Sequence, residues 1–146
     1  MPAGGYLEPK LLDLILGAVA FTAPATVYVG LSTAAATTSD ATVLAAEPSS
    51  TGSYARVSVT NNATNWPAAS GTNPASKSNG TAITFPTSTA AWSSGATALQ
   101  TFFVADASTL GGGNILLKGA LTANQTVNAS NIAASFAIGQ LSATCT

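Results

Sequence analysis

Residues Glu8 to Gly30 read "EPKLLDLILGAVAFTAPATVYVG", and the reading of this stretch decides the fold. It contains a lysine, a long apolar run, an Ala-Pro-Ala and then an alternating segment. A bilayer span needs ~20 apolar residues with no charge at mid-span. Asp13 interrupts the run, Thr22 and Pro24 break it, and the remainder is too short. A secretion signal would lead with positive charge, whereas Lys10 is flanked by Glu8 and Asp13. Wound as a helix, the same residues make sense. Leu7, Leu11, Leu14, Ile15 and Ala18 fall on one face, and Leu12, Leu16 and Val19 widen it. Pro9 is tolerated in the first turn, and Gly17 with the following "TAP" closes the element. The expectation is a helix over residues 6–19 whose apolar face is too wide for one sheet to cover.

Downstream the period changes to two. "ATVYVGLST" (25–33) sets Val27, Val29 and Leu31 against Tyr28, Gly30 and Ser32. "YARVSVT" (54–60) sets Ala55, Val57 and Val59 against Tyr54, Arg56 and Ser58. Both patterns predict half-buried strands. "TAITF" (81–85) is another, ended by Pro86. "ALQTFFVADA" (98–107) and "NILLKGAL" (114–121) are apolar on both sides in places, which suits strands in the middle of a sandwich. "QTVN", "IAASFAIG" and "QLSATC" bring the count to about eight, and "TVLAA" (42–46) is a possible ninth. Turn formers separate them, and residues 61–80 form a long polar loop without periodicity. The predicted fold is all-β: one domain over 1–146, with a jelly-roll-like sandwich of about eight strands at 25–146 and one short N-terminal helix.

Composition narrows the function. Only 6% of the 146 residues are charged, and the net charge is −1. Ordinary soluble proteins carry ~25% charged residues, so a chain of this kind is expected to live attached to something. Four scattered cations cannot neutralise a row of phosphates or hold an anionic bilayer, which argues against nucleic-acid and membrane partners. The sequence has no histidine, and its five carboxylates are dispersed, so no enzyme, metal site or cofactor is expected. Asp40 and Asp106 would have to meet in space to make a dyad. "LGGGN" (110–114) lacks the Lys-Ser/Thr ending of a phosphate loop and reads as a wide hairpin turn. The four Asn-x-Ser/Thr triplets at Asn62, Asn79, Asn124 and Asn128 are expected by chance. The one cysteine, Cys145, reads as a free thiol on a frayed tail; any disulfide would join two chains.

A few side chains stand out as contact residues. Trp92 reads as a plug at one end of the sandwich, and Trp66, inside the long loop, equally as a plug or as an exposed anchor. Arg56 reads as part of a solvated strand face, with an interface anchor as the alternative. The expected interface set is Leu7, Leu11, Leu12, Ile15, Leu16, Arg56 and Trp66.

The succession "YLEPKLLDLILG", "FTAPATVYVGLSTA", "YARVSV", "ITFP", "FFVADA" and "GGNILLKGAL" resembles small structural proteins encoded by tailed phages. Some such proteins carry a tail-fibre label. Others are capsid cement (decoration) proteins, and the nearest likeness is to the cement proteins of Bordetella-type podophages. This chain differs in its longer Asn/Ser-rich middle loop and its late cysteine. The resemblance implies a virion protein made in the bacterial cytoplasm and seated on the exterior of an HK97-like capsid. There it would bind the major capsid protein and close joints between subunits. Separately, the wide apolar face of the N-terminal helix carries the expectation of a small homo-oligomer, a dimer ahead of a trimer. The alternative that the resemblance carries is a tail or tail-fibre component that binds glycan through Trp66. No catalytic motif comes with it.

Overall fold

In the computed structural model, residues 3–93 and 97–145 are described. Among them the chain forms helix α1 (Leu7–Leu16), strand β1 (Thr26–Ser32), helix α2 (Asp40–Ala45) and strand β2 (Val57–Thr60). Six strands follow: β3 (Ala75–Ser78), β4 (Ile83–Thr84), β5 (Leu99–Ala105), β6 (Ile115–Gln125), β7 (Ser135–Phe136) and β8 (Ser142–Cys145). The fold is the expected all-β sandwich with a short N-terminal helix. Its first layer is a four-stranded antiparallel sheet in the order β2-β1-β5-β6. Two ribbons, β3-β8 and β4-β7, replace a second continuous sheet.

Alternation in β1 and β5 explains the layering. Val29 pairs with Val104 and Leu31 with Phe102 across the ladder. These side chains join Val27, Val59, Ile83, Phe85, Trp92, Val127 and Leu141 in the main core, between the sheet and the segments that carry the ribbons. The opposite face of the sheet carries Phe103, Ala105 and Ile115, and Val43 of α2 covers them. Strand β5 is therefore buried on both faces, as its doubly apolar sequence predicts. The likewise apolar β6 stands at the sheet edge instead. Ala3 bridges to Leu117, so the N-terminal segment borders the start of that strand.

Four local expectations are corrected. The helix ends at Leu16, short of Val19, because Ala18 takes a left-handed φ of 52° and the Val19 N–H folds back onto the Asp13 carbonyl at 3.1 Å. Residues 42–46 are not a ninth strand: most of them lie in α2, where the Ser39 side chain caps the Thr42 N–H at 3.2 Å. A well-placed N-cap outweighs a short apolar run. The 61–80 segment is not wholly loop, since it contains β3, whose Ala75 pairs with Cys145. The C-terminus is accordingly a paired strand and not a frayed tail. The expectation of a free thiol concerns the Cys145 side chain, which lies outside what the structure describes.

Trp92 is the plug that its sequence setting implies. It is buried, donates its indole N–H to the Gly52 carbonyl at 2.7 Å, and meets Tyr54 edge-on at 5.2 Å. The Gly-rich turn joins β5 to β6, and Gly111 there adopts a φ of 70°.

Candidate assembly surface

Helix α1 projects from one edge of this core. It is anchored by the turn before it: the Gly4 N–H donates to Leu116 O at 2.7 Å, and the Gly5 N–H donates to Asp40 Oδ2 at 2.7 Å. Leu7 packs against the main core, but no residue of α1 is buried. Leu12, Ile15 and Leu16 are 60%, 75% and 82% exposed, and Leu11 also faces outward. The apolar stripe legible in the sequence is thus present, and nothing among the described residues covers it.

Beside the helix lies an apolar recess of about 210 Å³. Leu7, Phe21, Pro24, Val27, Trp66 and Leu116 line it, with Lys77 at its margin. Two of the anticipated contact residues, Leu7 and Trp66, therefore share one recess, and Leu11, Leu12, Ile15 and Leu16 extend along the neighbouring helix. Trp66 is half-buried and packs on the core, so it forms a wall and not a free-standing platform. Its position follows from a local cap: Asn62 Oδ1 accepts the N–H groups of Thr64 and Asn65, and the Trp66 N–H donates to Asn62 O at 2.9 Å.

Arg56 stands apart from this surface and is not on a solvated face. Its Nε donates to Glu47 Oε1 at 2.8 Å, its Nη2 to Glu47 Oε2 at 2.7 Å, and its Nη1 to the Ala107 carbonyl at 2.6 Å. The guanidinium also lies 5.0 Å from the Phe103 ring centroid. Glu47 further accepts the Gly111 N–H at 2.8 Å and the Tyr54 hydroxyl at 3.0 Å. Burial, and next the nearby Glu47 charge, raise the Tyr54 phenol well above its ordinary value. Sequence reasoning missed Glu47: it sits in a turn-rich segment with no pattern to mark it.

The remaining carboxylates in question also have structural partners. Asp40 pairs with Lys118 at 2.7 Å, and Asp106 accepts from the Asn114 backbone and side chain. Among the described residues no three His, Cys, Asp or Glu are grouped as they would be around a metal ion. None of the described helices is long and apolar enough to cross a membrane. A second concavity, a groove of about 700 Å³, runs between the end of β6 and residues 132–136 and has mixed polar and apolar walls.

A family model described as podophage GP4 fiber I protein gp80 matches residues 2–144. The chain belongs to that family. It is accordingly a structural protein of the phage virion, and the family's description backs a fibre component over a capsid cement protein. No curated protein matches the chain.

Proposed function

We propose that the chain is a component of the phage fibre apparatus that is held in place by apolar contact through α1 and the adjoining recess, and that it catalyses no reaction. The observation that carries this reading is the ten-residue helix without a buried residue. Isolated helices below ~12–15 residues are marginal in water, and most helical stability in proteins comes from packing one face. Leu12, Ile15 and Leu16 would each contribute on the order of 1.5–3 kcal/mol on full burial. Part of that gain is lost to the cost of association. The partner we favour is another virion subunit, including further copies of the chain in a small homo-oligomer. The low charge supports this: broad contacts of Ala, Thr and Ser need no matched ions. The apolar walls around Trp66 suit an inserted aliphatic side chain better than a sugar, so we assign Trp66 to assembly and not to glycan binding.

The test is to count and locate this protein on purified virions, by quantitative mass spectrometry and by labelling in electron micrographs. Few copies, confined to fibres, are expected. A copy number matching the capsid lattice, with label spread over the shell, would replace this reading with the cement one.

A further inference from the structure

Asn79 joins three segments of the chain. It is 1% exposed, and its side-chain N–H groups donate to the carbonyls of Thr81 at 2.8 Å and Ala137 at 2.9 Å. Its Oδ1 accepts the Leu141 N–H at 2.9 Å. Its own main chain bonds to Leu141 O and Gly139 N. Only a side-chain amide of this size offers two donors and an acceptor in that arrangement. The next position is equally constrained. A Cβ on Gly80 would overlap the Thr64 carbonyl oxygen and stand 2.8 Å from Pro67 Cδ. Packing therefore demands asparagine followed by glycine, and this is the one Asn-Gly dipeptide in the sequence.

That dipeptide carries an intrinsic chemical liability, because glycine leaves its backbone nitrogen least hindered for attack on the preceding amide. We propose that Asn79–Gly80 is a deamidation site closed by folding and opened when this corner unfolds, so that a local loss of structure becomes permanent. The Gly80 nitrogen gives its proton to solvent base and bonds to Asn79 Cγ. The Cγ–Nδ2 bond breaks, and nitrogen leaves as ammonia with a proton from water. Water then opens the succinimide at either carbonyl, leaving aspartate or isoaspartate. The balance is one water consumed and one ammonia released, with no change of oxidation state.

In the folded chain both reactants are restrained. The Gly80 N–H is held by Asn65 O at 2.7 Å, and the Asn79 amide is fixed by three hydrogen bonds. Their release needs opening of the corner where Asn79 and Gly80 meet Asn65, Ala137 and Leu141, beside the end of the small β3-β8 ribbon, and local opening of this kind can cost less than global unfolding. The product does not fit the site. A carboxylate would face the Thr81 and Ala137 carbonyls with no donor to offer, and a buried, unpaired charge is costly. An isoaspartate would also lengthen the main chain between β3 and β4.

The test incubates the full chain at mildly alkaline pH, native and in concentrated urea, and follows each asparagine by peptide mass mapping. In urea, Asn79 is expected to convert before every other asparagine. In the folded chain its conversion should slow by about a hundredfold, the ratio set by the free energy of opening this corner. On removal of urea, the converted fraction should fail to regain the native signal. Gly80→Ala, measured only in urea so that its folding is irrelevant, should slow conversion at Asn79 towards the rate of the other asparagines. Equal rates in folded and unfolded chain, or full refolding of the converted fraction, would overturn the proposal.

Discussion

Glu47 and Arg56 meet fork to fork, at 2.7 and 2.8 Å, with both side chains withdrawn from solvent. The pair joins the segment after α2 to the start of β2, and through Gly111 it also fixes the β5–β6 turn. Glu47→Ala leaves a buried guanidinium without its counter-ion and is expected to cost about 3–5 kcal/mol. The double variant Glu47→Leu/Arg56→Met removes both charges and should regain most of that loss. Urea unfolding of the three proteins checks this. A Glu47→Ala protein as stable as the parent would show that the pair contributes nothing.

Tyr54 gives the fold an alkaline limit. Its phenol is raised in the folded state, while in the unfolded chain it ionises near the ordinary value of ~10. A group with a raised folded value contributes stability that is complete below the unfolded value and falls as pH climbs above it. Stability should therefore decline with rising pH above about 10, because only the unfolded state gives up this proton. Tyr54→Phe should lower stability at neutral pH, by loss of the bonds to Leu31 and Glu47, and flatten the alkaline decline. Denaturation curves across that pH range, with and without the substitution, decide the matter; parallel curves would remove Tyr54 as the cause.

The strands that carry the core were legible because their periodicity is local. Val27, Val29 and Leu31 announce β1, and the doubly apolar run around Phe102 and Phe103 announces β5. Strand β3 was not, since Ala-Ser-Lys-Ser has no apolar alternation and its pairing partner lies almost seventy residues away at Ser142–Cys145. Helix α2 was hidden because only six residues wind and Val43 alone is buried among them. The stripe Leu11, Leu12, Ile15 and Leu16 could be read as apolar, but a one-dimensional pattern cannot say whether the chain itself covers it. The burial of Arg56 was invisible for a related reason: the alternation in "YARVSV" assigns a face, not what lies over that face.

Close approach at Gly30 yields a sharper mutational expectation than its strand position suggests. A Cβ there would stand 2.7 Å from Phe103 Cε2 and overlap the ring tip. Phe103 is fully buried, with the Arg56 guanidinium 5.0 Å from its ring centroid. Gly30→Ala should thus destabilise by about 1–3 kcal/mol through overpacking, despite alanine's lower backbone entropy cost. Gly112→Ala, where the nearest atom is 3.4 Å away, is the control and should be close to neutral. Thermal unfolding of both variants tests the contrast, and equal melting temperatures would contradict it.

The proposed attachment through α1 would separate folding from assembly. Leu12, Ile15 and Leu16 make little contact with the rest of the chain, so replacing each with serine should alter monomer stability by no more than ~0.5 kcal/mol per site. The same changes remove the apolar area that any neighbouring subunit would bury, and with it the main favourable term in docking. Leu7→Ser is the counter-example, because Leu7 packs on the core and lines the recess. It should impair stability and association together. At concentrations where both proteins are dissociated, the triple variant is therefore expected to unfold within ~1.5 kcal/mol of the parent, yet at higher concentration to sediment as a smaller species and to be missing from virions assembled with it. Retention of the parent's oligomeric state and full incorporation would show that α1 is not the attachment surface. A large loss of stability would instead mean that the helix is covered within the monomer.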